Sequence, residues 1–159
     1  MPILKHTIAI NNYFDFFSTS SGIEVEAGTR THVDVTPVQH LATDGFKELG
    51  VDKRGCKHMD ENDAGLLFNY YTHKSCMFEC RLKKTIDKLK CTAWELPHSK
   101  DWEGIALCTA DYLDEFNYLM TTKAMSSDCE CLPDCEEVTF DTKITIQSLH
   151  SGKDIVILV

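Results

Sequence analysis

The sequence predicts an α+β fold in which two disulfide-stapled helices are flanked by antiparallel strands. Three observations carry this. Apolar and polar residues alternate near both ends, in Ile23-Glu24-Val25-Glu26 and again from Val138 to Gln147. Between them the period lengthens to that of a helix, with Phe78, Leu82, Ile86 and Leu89 in one stripe. The chain also has 8 cysteines, an even number, and five of them stand in Cys76-x3-Cys80 and Cys129-x-Cys131-x3-Cys135.

The cysteine spacing suggests how the two groups meet. On a helix, Cys76 and Cys80 share a face and are separated by about 6 Å along the axis. In an extended segment, Cys129 and Cys131 share a face and are separated by about 6.6 Å. Pairs of matching rise can be bridged rung to rung. A chain that goes out and returns pairs in nested order, giving Cys80–Cys129, Cys76–Cys131 and then Cys56–Cys135. Leu132-Pro133 interrupts the extended run and turns Cys135 toward a different partner. Cys91 and Cys108 then close a smaller loop. This is one of about 105 pairings that eight cysteines allow. A zinc site is the alternative, but Cys-x-Cys is tight for one tetrahedral ion and Cys56, Cys91 and Cys108 would be left over. Thiol titration with and without reductant separates the two.

Composition excludes several function classes. The 159 residues suit one domain or a piece of a larger protein, and 43% hydrophobic content is enough for a core. A formal net charge of −9 argues against a nucleic-acid partner, because phosphate binding needs clustered Lys and Arg. No nucleophile–base constellation is found, so no catalytic residue, cofactor or metal site is expected. Met1 to His6 lacks the charged and apolar regions of a signal peptide, and the longest apolar run, Ile155 to Val159, is too short to span a bilayer. Disulfides without an export signal lead to the expectation that the chain is a fragment.

In order, Ile8 and Ile10 suggest a strand, followed by an aromatic loop through Phe17 and a turn at Ser18–Gly22. Ile23 and Val25, then Val33 and Val35, mark two strands joined by a turn at Gly28, the second ended by Pro37. Residues 38–53 carry little pattern. Asp60-Glu61-Asn62-Asp63 lacks calcium-loop spacing and reads as a solvated turn. Thr72 can cap the first helix, and Lys83, Lys84, Lys88 and Lys90 suit its C-terminal end. Trp94, in the turn that follows, is expected to pack. Thr109 can cap a second helix with an apolar stripe of Tyr112, Phe116, Leu119 and Met120, leaving Asp111, Asp114 and Glu115 on other faces. After Cys135, Val138, Phe140, Ile144 and Ile146 mark a strand. His150–Lys153 is a turn, and Asp154–Val159 is a last strand.

Taken together, Gly22-x-Glu24-Val25, Val33-x-Val35-x-Pro37, Arg54-x-Cys56, Tyr71-Thr72, Cys76-x3-Cys80, Cys91-Thr92-Ala93-Trp94-Glu95-Leu96-Pro97, Cys108 and Cys129-Glu130-Cys131-Leu132-Pro133-Asp134-Cys135 resemble the extracellular domain of the degenerin/epithelial sodium channel family, closest to its pickpocket-type branch. The resemblance runs from about residue 8 onward. It implies a palm-type antiparallel β-sheet from residues 1–55 and 136–159, and a cysteine-rich, two-helix thumb from residues 56–135. It also implies a further thumb disulfide, replaced here by Leu89 and a residue near Phe116, which should pack together. The family's transmembrane helices, Gly-x-Ser selectivity stretch and finger are not found in these 159 residues. The aromatic that commonly precedes the first thumb cysteine is also not found among Val51–Gly55. The implied whole protein is an amiloride-sensitive-type sodium channel subunit in the plasma membrane. It would assemble as a homo- or hetero-trimer, conduct sodium and use thumb and palm to couple stimulus to pore. Membrane contact would run only through the missing segments. In acid-sensing relatives, carboxylates in the region of Asp111, Asp114 and Glu115 titrate on activation, so these three are the candidate acid sensor. The alternative is a secreted, disulfide-rich interaction module without channel activity; a downstream apolar span containing Gly-x-Ser would decide for the channel.

Overall fold

The structure, a computed structural model, describes residues 5–15, 22–43, 45–62, 67–94, 96, 102–149 and 156–158. Two compact units divide the chain: Met1–Leu41 with Glu136–Val159, and Ala42–Cys135. Residues 42–55 group with the cysteine-rich unit.

The first unit is built from strands β1 (Lys5–Ile8), β2 (Ile23–Glu26), β3 (Thr29–His40), β6 (Glu137–Ser148) and β7 (Val156–Leu158). β1 and β2 pair antiparallel, Lys5 opposite Glu26 and Ile8 opposite Ile23. Gly22 is required beside β1, since a Cβ there would lie 2.2 Å from Thr7 Cγ2 and 2.9 Å from the Ile8 carbonyl oxygen. Gly28, at φ 84°, makes the turn into β3. A three-stranded sheet follows in the order β6-β3-β7. Its long antiparallel pair runs from Thr29 opposite Ser148 to His40 opposite Glu137. Val25 of β2 and Thr31 and Val33 of β3 are buried, all presented by the period of two.

Two expectations for this unit change. β3 does not stop at Pro37 but continues to His40. β7 pairs only with Arg30–His32, so at Pro37 one side of β3 is an edge among the described residues, where a missing N–H costs no ladder bond. β7 itself runs parallel to β3, so the sheet is mixed rather than wholly antiparallel. Ile144 and Ile146, which mark β6 in the sequence, are 42% and 59% exposed. The aromatic loop beyond Asp15 and the turn at 150–153 lie outside the described residues.

The second unit carries α1 (Val51–Arg54), α2 (His73–Leu89), β4 (Cys91–Thr92), β5 (Ala106–Leu107) and α3 (Ala110–Thr121), with a 3-10 turn at Phe46–Glu48 before α1. α2 starts at Thr72, whose hydroxyl oxygen accepts from the Ser75 backbone N–H at 3.0 Å. Its stripe is largely buried: Phe78, Leu82, Thr85 and Ile86 form the core with Phe116 and Leu119 of α3. Phe116 is 1% exposed, whereas Leu89 is half-buried. The Arg81 guanidinium crosses from α2 to the Met120 carbonyl at 3.1 Å, satisfying one of the carbonyls that the end of α3 leaves without an intrahelical partner. β4 and β5 pair in parallel.

Departures here are local. Thr109 precedes α3 but makes no side-chain cap bond. Tyr112 is exposed, so the buried stripe of α3 is Phe116 and Leu119 alone. Trp94 is exposed rather than packed. α2 ends on Lys90 in the left-handed region, at φ 57°, its N–H donating to Ile86 at 2.7 Å. Glycine is the residue best suited to that place. The Lys90→Gly variant is expected to gain about 0.5–1 kcal/mol in urea unfolding, the relief of left-handed strain offset by the freer unfolded chain.

Candidate functional site: the disulfide ladder

Four bridges tie the second unit together: Cys56–Cys135, Cys76–Cys131, Cys80–Cys129 and Cys91–Cys108. Their Cα separations are 5.1, 5.9, 6.0 and 4.9 Å, within the span a disulfide needs. The first three are nested. α2 supplies Cys76 and Cys80 one turn apart on one face, and the irregular segment 129–133 passes along that face in the opposite direction. The fourth closes the loop between β4 and the start of α3.

Main-chain and side-chain bonds lock the outermost rung. Lys57 N–H donates to the Pro133 carbonyl at 3.0 Å, and Cys135 N–H donates to the Lys57 carbonyl at 2.8 Å. Lys57 and Asp134 form an isolated parallel bridge between these bonds. The Tyr71 hydroxyl donates to the Leu132 carbonyl at 2.6 Å, and the Lys57 ammonium sits 5.0 Å from the centre of the Tyr71 ring. Asp134 accepts from the His73 backbone N–H at 2.9 Å. The first turn of α2 is therefore capped twice, by Thr72 in its own chain run and by a carboxylate from the returning segment.

Sequence reasoning singled out neither Asp134 as a cap nor Arg54 as a clamp. The Arg54 side chain is 1% exposed. Its Nε donates to the Cys56 carbonyl at 2.9 Å, its Nη1 donates to the Leu49 carbonyl at 2.8 Å and the Lys47 carbonyl at 3.2 Å, and its Nη2 pairs with Glu61. Glu61 also accepts from the His58 N–H at 2.8 Å. That hydrogen bond first, and the Arg54 guanidinium next, hold the Glu61 carboxyl below its usual range. Asp60 pairs with Lys47 at 2.5 Å, and the Asn62 amide donates to the Phe68 carbonyl. Thus Glu61, read as part of a solvated turn, braces the foot of the ladder through Arg54, whereas Asp60 stays on the surface in its pair with Lys47; Asp63 lies outside the described residues. The only sequence signal is the nearness of Arg54 and Glu61 to Cys56.

The acid-sensor candidates lie elsewhere. Asp111, Asp114 and Glu115 are exposed on α3, and Glu115 lies 3.6 Å from Lys88 of α2. No described helix is long and apolar enough to cross a membrane, and no metal-binding cluster occurs among the described residues.

The chain is a member of the amiloride-sensitive sodium channel family, whose model matches residues 6–156. It is similar to Pickpocket protein 11 of Drosophila melanogaster, with 27% identity over 105 residues, covering 66% of this chain and 20% of the relative. The chain thus spans about a fifth of that relative's length.

Proposed function

We propose that this chain is an extracellular part of a sodium channel subunit, in which the stapled unit is the thumb and the strands belong to the palm. In the whole protein, the thumb takes up an external stimulus and passes it to the palm, which opens a sodium pore at the plasma membrane. Subunits assemble as a homo- or hetero-trimer. The observation that carries this reading is the nested ladder. Two bridges fix the returning segment along α2 and a third ties its end to Cys56, so a displacement of the helices is transmitted as a rigid movement rather than absorbed.

The test is a graft. Replacing the matching segment of Pickpocket protein 11 with this chain should preserve surface delivery and an amiloride-blocked sodium current. A graft that reaches the surface and carries no current counts against the reading.

Asp111, Asp114 and Glu115 form the acid-responsive surface under the same proposal. Neutralising all three as Asn, Asn and Gln should displace the pH–current curve of the grafted channel. An unchanged curve would leave them as solvated surface charge.

A further inference from the structure

We infer that Tyr71 and His73 are positioning residues for the relay: together they hold the Leu132 carbonyl, and so fix the course on which the returning segment leaves the ladder for β6. The inference rests on the channel reading. Bridges pin this segment at Cys131 and at Cys135. Leu132, Pro133 and Asp134, between them, are held by hydrogen bonds. The Tyr71 hydroxyl donates to the Leu132 carbonyl at 2.6 Å, and His73 Nδ1 lies 3.0 Å from the same oxygen.

A carbonyl oxygen has two lone pairs and no proton to give. Both lone pairs are taken here, so the neutral His73 ring must carry its proton on Nδ1. The same residue grips the segment a second time, its main-chain N–H donating to Asp134 at 2.9 Å. Pro133 has no N–H to offer, and its carbonyl accepts from the Lys57 N–H at 3.0 Å. Tyr71 is 2% exposed, so its hydroxyl meets little competing water.

The grip matters because bridges alone leave play. A disulfide tolerates Cα separations from about 4.4 to 6.8 Å, so two rungs do not fix the peptide planes between them. A carbonyl held from two sides does. The chain passes between its two units twice, after Leu41 and after Cys135. Residues 41–45 separate β3 from the turn at Phe46–Glu48, whereas Glu136 alone separates Cys135 from β6. The longer connection can take up a displacement. The single residue has little freedom to do so, and a shift at Leu132 is handed on to the start of β6.

The test measures amiloride-blocked current per surface subunit in the grafted channel. Tyr71→Phe keeps the ring beside Lys57 and removes one donor; His73→Leu removes the other. Each leaves the Leu132 carbonyl a partner, so each alone should lower the current by less than about twofold. The double variant should lower it by about fivefold or more, beyond the product of the two. His73→Asn, whose amide N–H stands where Nδ1–H does, should restore most of the current when it replaces His73→Leu in the double variant. In the 159-residue chain, imidazole nitrogen NMR at about pH 8.5, above the ordinary histidine range, should find the His73 proton on Nδ1. A parent graft that conducts, with a double variant that loses surface amount but not current per surface subunit, overturns the inference and leaves the channel reading standing. A His73 proton on Nε2 does the same. A parent graft at the surface without current overturns the channel reading, and this inference with it.

Discussion

Replacing Cys56 and Cys135 together by Ser is expected to cost about 3.5 kcal/mol, more than the loss of any other bridge. The two cysteines are 79 positions apart, but the intact Cys76–Cys131 bridge shortens the loop that is released to about 25 residues. Losing Cys80–Cys129 with its neighbour intact frees a loop of only about six residues, worth about 2 kcal/mol on the same chain-entropy scale. Cys91–Cys108, at 17 positions, falls between at about 3 kcal/mol. Urea unfolding of the paired serine variants gives the order directly. A Cys80–Cys129 variant less stable than the Cys56–Cys135 variant would show that local geometry at the inner rung outweighs loop closure.

The second large effect is at Arg54. Arg54→Met should lose about 3 kcal/mol, because Glu61 keeps a charge without its partner and three carbonyls lose a donor. Lysine should not rescue it, since one ammonium cannot reach Lys47, Leu49, Cys56 and Glu61 from a single stem. The loss should also carry a pH signature. The folded-state pKa of Glu61 is depressed, so its contribution is fully present above the unfolded glutamate pKa of about 4.3 and fades as pH falls through the lower folded value. The gap between parent and Arg54→Met should therefore be widest near neutrality and narrow as pH falls below about 4, leaving the pH-independent share of the three carbonyls. Equal stability of the two at neutral pH would contradict the clamp.

What the sequence made legible follows from periodicity. α2 could be read because a 17-residue helix repeats its apolar stripe several times and Thr72 announces its start. β3 and β6 could be read because polar and apolar residues alternate over many positions. Short elements carry too few repeats, so the turn at Phe46–Glu48 and α1 left no pattern. Partner choice is also invisible in a single strand: nothing in Val156–Leu158 says that β7 runs parallel to β3. Pro37 ends a strand only where both edges are paired, which a sequence does not reveal. The clamp was hidden for a simpler reason. Three of the acceptors of Arg54 are main-chain carbonyls, which every residue owns, and only Glu61 offers a side chain that could have been matched to it.

The proposed relay depends on the nested order of the ladder, and non-reducing peptide mapping tests it most directly. Glutamyl cleavage after Glu79 separates Cys76 from Cys80, and cleavage after Glu130 separates Cys129 from Cys131. The nested ladder then yields one linked peptide pair joining Cys76 to Cys131 and another joining Cys80 to Cys129. A linked pair joining Cys76 to Cys129 would contradict it.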